Sequence, residues 1–281
     1  LQANTTASNN TAVGYQAGLS NTTGTSNSAL GYQALNSNTT ASNNNAFGFQ
    51  ALYLNTTGAV QTAMGHVALY ANTTGTENTA FGGAALKDNT TGNYNVAVGR
   101  NALANNTTAS NNTAVGFEAG LSNTTGASNA SLGKGSLYSN TTGNFNAAFG
   151  DTALQANTTA SGNTAVGFQA GYSHTTNGYL TAIGYKAGYT GNADSAFVGY
   201  EAGYNSTGGS NTAMGSYRAL YSNTSGSNNT AIGREALLSN TTADNNTAVG
   251  YQAGYSFTTG GYSTVMGYQA AQNATAGGTV A

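Results

Sequence analysis

The chain has 281 residues, with 40 glycines and no proline, cysteine or tryptophan, and its net charge is −2 from six Lys and Arg against eight Asp and Glu. A charged content of 5% leaves no clustered basic surface for nucleic acid or anionic lipid. The lack of cysteine excludes disulfides, thiolate nucleophiles and cysteine-bound metals, and no run of residues reaches the roughly 18 apolar residues of a membrane span.

Residues 1–184 repeat with a period of 17. The repeat is clearest at the glycine that ends Asn-Thr-Ala-x-Gly, which returns from Gly14 to Gly184 at ten identical intervals; we call it the key glycine. A 17-residue unit is too short for a helix pair, and Gly, Asn, Thr and Ser fill most positions. The pattern therefore predicts an all-β fold, a parallel β-solenoid or β-roll of about 16 coils.

The remaining coils continue the repeat with a slip in phase. In residues 185–233 the key glycines are 15, 16 and 18 residues apart, and residues 234–270 restore the regular period before a glycine-rich tail at 271–281. We predict one repeat rod over residues 1–281. The irregular spacing predicts a bend or bulge between residues 172 and 221.

The residue before the key glycine is large and apolar in every coil, which predicts a buried core column. Alanine fills two further columns, two residues before and three residues after the key glycine. These alanines could form a surface shared between chains, or the inert face of a monomeric roll. In the regular coils the predicted core column is Val13, Leu30, Phe47, Met64, Phe81, Val98, Val115, Leu132, Phe149, Val166 and Ile183.

Two asparagine columns run along the repeat. The first lies four residues before the key glycine, from Asn10 to Asn246, and predicts an amide ladder between coils. The second begins each Asn-Thr-Thr, which is both a turn sequence and an N-glycosylation acceptor. Glycans stacked about 4.8 Å apart would collide, so we favour a turn ladder, with modification of a few sites left open.

The column after the key glycine accepts Tyr, Phe, Arg and Asp alike, which indicates a solvent-facing row. A second tyrosine row, five residues after the key glycine, is predicted to lie close to it. Exposed aromatic rows are typical of surfaces that stack on sugars or pack against partners. The predicted binding patch, where tyrosines are densest, is Tyr172, Tyr185, Tyr189, Tyr200, Tyr204 and Tyr221.

Catalytic patterns are scarce. Asp194 and Glu201 are the only acids that share the short coil, and solvated surface charge is the simpler interpretation of that pair. His66 and His174 lie too many coils apart to share a metal and are interpreted as lone exposed histidines. We therefore predict a protein that is not an enzyme and that holds no cofactor and no metal.

The segment Asn-Thr-Ala-Val-Gly-Tyr-Gln-Ala-Gly at 10–18, which returns at 246–254, resembles the head repeats of trimeric autotransporter adhesins. It resembles more closely the tandem repeats of phage tail fibres and related bacterial surface fibres. The resemblance covers essentially the whole chain, although the adhesin repeat is usually shorter. It implies a homotrimeric β-roll fibre that attaches to a host cell or surface.

We therefore expect a non-enzymatic segment of an extracellular fibre, on a cell surface or a virion, that mediates or spaces attachment. Its partners would be other copies of itself and a host glycan or protein, without nucleic acid. Two alternatives stay open. One is a subunit of an extracellular filament that assembles end to end, and the other is an ice-binding solenoid with stacked threonines.

Overall fold

In the computed structural model, which describes residues 1–191 and 194–274, the chain is an all-β solenoid with one short strand per coil. The described residues form no helix. This confirms the predicted fold class and the period of 17 residues. The chain divides into two compact units, Leu1–Phe145 and Asn146–Ala281. Most of the predicted glycine-rich tail, from residue 275 onward, lies outside the described residues.

Consecutive strands of the first unit pair in parallel. The register is strict, since every residue pairs with the residue 17 positions later, as Thr79 does with Val96. The eight strands are β1 Thr11–Val13, β2 Ser28–Leu30, β3 Asn45–Phe47, β4 Thr62–Met64, β5 Thr79–Phe81, β6 Val96–Val98, β7 Thr113–Val115 and β8 Ala130–Leu132.

The second unit repeats this arrangement with one irregularity. Between β12 and β13 the register shifts after Val198, so that Tyr200 pairs with Tyr217. This confirms the predicted bulge. The strands are β9 Ala147–Phe149, β10 Thr164–Val166, β11 Thr181–Ile183, β12 Ala196–Tyr200, β13 Thr212–Tyr217, β14 Thr230–Ile232, β15 Thr247–Val249 and β16 Thr264–Met266.

The key glycine is the closest approach between coils. Gly82 has φ +138°, and a Cβ there would lie 2.6 Å from the carbonyl carbon and oxygen of Gly99 in the next coil. Any other residue would be strained in this conformation and would push the coils apart. The glycine column is thus what allows consecutive coils to remain in hydrogen-bonding contact.

The interior of the solenoid is narrow and holds small side chains. Both alanine columns point inward, as Ala97 and Ala102 show, and both are fully buried. The leucine that follows the second alanine, such as Leu86, supplies the largest side chain of a typical coil and is also fully buried. Since the alanines are inside the single chain, the prediction that they could form a surface between chains is wrong.

The predicted core column is also wrong, because its side chains point outward. In a three-residue strand the middle residue faces opposite to its neighbours, and the buried alanine is the middle residue of most strands, as in Thr79-Ala80-Phe81. Phe81 is 53% exposed. None of the column's residues is buried within the chain: Val13, Leu30, Phe47, Met64, Phe81, Val98, Val115, Leu132, Phe149, Val166 and Ile183. We call this column, with its continuation to Met266, the apolar row.

Coils that carry Gly in place of the core leucine are filled from a neighbouring coil. A Cβ at Gly120 would lie 2.9 Å from Cδ2 of Leu103, one coil earlier. The bulky residue after that glycine, Leu121, is only half-buried. The glycine therefore gives room to the adjacent coil's side chain.

Two buried amide ladders run beside the apolar core. In the Asn-Thr-Thr column, Asn72 donates through Nδ2 to Oδ1 of Asn55 at 2.8 Å and to the Gly75 carbonyl at 3.1 Å. In the other column, the backbone N–H of Asn95 donates to Oδ1 of Asn78 at 2.9 Å. Both predicted ladders are confirmed. Buried amides that are paired in this way favour a fixed register, because a slipped coil would leave them unsatisfied.

A pair of adjacent glycines tests the close approach of the coils. Gly82→Ala places a methyl group against the Gly99 backbone at a left-handed φ, whereas a Cβ at Gly83 meets nothing within 4 Å. We expect Gly82→Ala to reduce the free energy of unfolding by about 2 kcal/mol or more, and Gly83→Ala to change it by less than about 0.5 kcal/mol. Urea unfolding followed by circular dichroism measures both. Equal effects of the two substitutions would contradict this account of the coil contact.

Candidate functional site

An aromatic row runs along four successive coils of the second unit, at or next to the position after the key glycine. Phe168, Tyr185, Tyr200 and Tyr217 stack on successive coils, with ring centroids 5.0 to 5.3 Å apart. The rings are nearly parallel because consecutive coils repeat the same backbone conformation. We call these four rings the first aromatic row.

A second aromatic row lies on the same four coils. Tyr172, Tyr189, Tyr204 and Tyr221 stack with centroids 4.9 to 5.3 Å apart. The residue that follows each first-row ring has a left-handed backbone, as at Lys186 with φ 50°. This corner places both rows on one side of the coil.

Cationic side chains bridge the two rows. The Arg218 guanidinium carbon lies 4.9 Å from the ring centroid of Tyr217 and 4.7 Å from that of Tyr221. The Lys186 ammonium nitrogen lies 5.4 Å from the Tyr185 ring and 5.8 Å from the Tyr189 ring. Positive charges at these distances are attracted by the negative potential of the ring faces. The eight rings and two cations therefore form one surface, which we call the tyrosine platform.

One carboxylate is built into the platform. Glu201 is 8% exposed, and its Oε2 accepts a 2.7 Å hydrogen bond from Nε of Arg218. This hydrogen bond raises the pKa of the Arg218 guanidinium. Burial, followed by the charge of Glu201, raises the pKa of the Tyr200 phenol. Tyr200 therefore remains a neutral hydroxyl that can both donate and accept hydrogen bonds.

The platform presents ring edges and hydroxyls rather than ring faces. Each inner ring is covered on both faces by the rings of the adjacent coils. The expectation that the row offers faces for stacking on sugars therefore does not hold for the inner rings. What a ligand meets along the platform is a line of phenol edges, with Lys186 between the two rows.

All six tyrosines of the predicted patch lie in the tyrosine platform. Sequence reasoning missed Tyr217, because the fixed spacing after the key glycine points to Ser216, and the register shift places Tyr217 in the row instead. It also missed Lys186 and Arg218, whose role depends on the left-handed corner between the rows. Lys186 stands two residues after Gly184 and Arg218 stands three residues after Gly215, so no fixed spacing pointed to the two cations.

The acids and histidines do not assemble into catalytic groups. Glu201 pairs with Arg218 rather than with Asp194, which is exposed. His66 is exposed, as expected, but His174 is buried, so the prediction of a second exposed histidine is wrong. Within the described parts of the chain, no three His, Asp or Glu residues are grouped so that they could hold a metal ion.

His174 interrupts the buried Asn-Thr-Thr ladder of the second unit. It stands one repeat after Asn157, is 2% exposed, and its Nε2 has no hydrogen-bond partner among the described residues. Burial lowers the pKa of the imidazole, and hydrogen bonds with the backbone of Asn177 and Gly191 oppose this only in part. The folded chain thus favours the neutral form of His174.

This buried imidazole predicts a pH dependence of stability. Since the folded pKa of His174 is below the unfolded value of 6.5, the unfolded state binds more protons, and stability falls as the pH drops through about 6.5. Urea unfolding between pH 7.5 and pH 5.5 should show this loss in the natural chain.

His174→Asn, which restores the residue type of the ladder, should remove most of the loss over the same pH range. The exposed His66→Asn is the matched control and should leave the loss in place. If His174→Asn kept the full pH dependence, another group would be responsible.

Comparison with models of known protein families finds none that matches this chain, and comparison with curated proteins finds no relative.

No helix in the described ranges, 1–191 and 194–274, could span a membrane.

Proposed function

We propose that this chain is a segment of a non-enzymatic fibre whose copies associate side by side through the apolar row. The observation that carries the proposal is the direction of the row. Large apolar side chains occupy it on every coil and point away from the chain's own core, with Phe81 53% and Leu132 51% exposed. A continuous apolar strip of this kind marks an interaction surface.

The energy available from the apolar row is comparable with the cost of association. Covering the exposed half of a Val, Leu or Phe side chain contributes about 1 kcal/mol. Eight such residues in the first unit therefore contribute about 8 kcal/mol per chain, which is comparable with the cost of about 4 to 15 kcal/mol for joining molecules. The second unit carries a further row of the same kind, from Phe149 to Met266.

Identical copies are the partners that fit this row best. Parallel copies around an axis bring the same coil of each chain to the same height, so that their apolar residues meet at one spacing. A threefold arrangement agrees with the resemblance to trimeric adhesins and tail fibres. We therefore propose a homotrimer, in which the apolar rows of three chains face the common axis.

Attachment is the role that this architecture supports. We propose that the fibre lies outside the cell, on a cell surface or a virion, and contacts or spaces a surface glycan. The tyrosine platform offers phenol hydroxyls and edges that can hydrogen-bond to sugar hydroxyls, with Lys186 as a cation beside them. Three copies on one fibre would turn weak contacts into useful avidity.

Two equally exposed aromatic residues on different faces test the proposed interface. Phe81, in the apolar row, is 53% exposed, and Tyr94, on a turn, is 54% exposed. Phe81→Asp should shift the mass measured by light scattering from three chains toward one, because it buries a charge in each copy of the interface. Tyr94→Asp should leave the mass unchanged.

The natural chain supplies the remaining outcomes of that experiment. A single-chain mass across a tenfold concentration range would overturn the homotrimer. A mass that grows with concentration would instead indicate the alternative of end-to-end filament assembly.

An ice-binding surface is the second candidate, favoured by one observation. A column of exposed threonines runs beside the Asn-Thr-Thr ladder of the first unit and repeats on eight successive coils. The threonine before each of them instead bonds to the next coil, as Thr56 Oγ1 does to the Thr73 carbonyl at 3.0 Å. Thermal hysteresis in the natural chain would support this function, and its absence would remove it. The column is Thr23, Thr40, Thr57, Thr74, Thr91, Thr108, Thr125 and Thr142.

A further inference from the structure

The first unit carries its own stack of rings, and this stack ends at a gap. Tyr15, Tyr32, Phe49 and His66 stack with centroids 5.2 to 5.3 Å apart. The same position on the next coil is Gly83, where a Cβ would meet nothing within 4 Å. We propose that the space over Gly83 is a binding slot for one planar aromatic ring that carries a carboxylate.

The walls of the slot are defined by the coils on either side. His66 is exposed and stacks on Phe49 through one ring face, so its other face is directed at the coil of Gly83. The coil beyond Gly83 presents Arg100, which is also exposed. Since adjacent coils are about 4.8 Å apart, the two walls are about 10 Å apart and leave room for one ring.

The second unit shows that a planar group fills such a gap. There, Arg234 takes the position between the coils of Tyr217 and Tyr251. Its guanidinium carbon lies 5.5 Å from the first ring centroid and 5.9 Å from the second. One coil without a ring thus accommodates a flat group between two walls. Gly83 creates the same gap without a side chain to occupy it.

The charge around the slot selects the ligand. Arg100 has no carboxylate within ion-pair distance among the described residues, whereas Lys87, on the coil of Gly83, is engaged by Asp88 at 3.4 Å. A guanidinium stacks on aromatic faces and binds carboxylates through paired hydrogen bonds. An aromatic carboxylate uses both properties of Arg100, and a cationic ring would be repelled. This site lies outside the tyrosine platform and does not depend on the proposed function.

Proton NMR of the two histidines tests the slot directly. His66 lies in its wall, and buried His174 serves as an internal reference in the same chain. Titration with benzoate should move the His66 ring signals upfield in a saturable manner and leave those of His174 in place. Cyclohexanecarboxylate and glucuronate, which carry the charge without a planar ring, should produce little shift. No saturable shift with benzoate, or equal binding of either saturated acid, would overturn the proposal.

Three substitutions test the gap at Gly83, the wall formed by Arg100 and the general geometry of a gap between rings. Gly83→Phe supplies the missing ring in open space, so it should keep the circular dichroism spectrum and abolish benzoate binding; retained binding would overturn the proposal. Arg100→Gln should weaken benzoate binding about tenfold, and an unchanged affinity would contradict the role of Arg100. Arg234→Gly should open a second gap that binds added methylguanidinium, and the natural chain, as the control, should bind it more weakly. Failure to bind it would remove the geometric basis of the slot.

Discussion

Every feature of this molecule depends on contact between consecutive coils in strict register. Backbone hydrogen bonds join the strands of the first unit at an offset of 17 residues, and the key glycines let the coils approach closely enough to form these bonds. Because of this closeness, the interior of a typical coil holds only alanines, one leucine and two amides. Phe197 and Phe257 are the largest side chains that the interior accommodates.

Register also converts each sequence column into a surface row. A residue type that recurs every 17 positions becomes a line of equal groups about 4.8 Å apart: apolar side chains on the sheet, rings at the corner, threonines at the turn. Through these lines a chain with so little charge presents long uniform surfaces to its surroundings. Departures from a line, such as Gly83 in a ring row or the register shift at Tyr217, create local sites that the regular repeat lacks.

The coil, its period and the position of each strand were predictable because they follow from spacing alone. The direction of the strand side chains was not. A large apolar residue is expected to be buried. Phe81 and Ala80, however, are neighbours in a three-residue strand, so their side chains point to opposite faces, and the repeat is compatible with either face being the buried one. The volume of the coil decides which face is buried, since Leu86 already fills the interior.

The tyrosine platform was predicted in outline. Its cations and Tyr217 were not, because they depend on a left-handed corner and a bulge. The burial of His174 was predictable, because His174 stands in the Asn-Thr-Thr column one repeat after Asn157, whereas His66 directly follows the key glycine Gly65.

Disulfide trapping tests the register most directly, and the chain has no native cysteine to interfere. Thr79 and Val96 are direct partners on adjacent strands, a separation that a disulfide spans. The pair Thr79→Cys and Val96→Cys should therefore form an intramolecular disulfide under mild oxidation. Thr79→Cys with Thr113→Cys, two coils and about 10 Å apart, should remain reduced. Equal oxidation of both pairs, or a reduced first pair, would contradict the in-register solenoid.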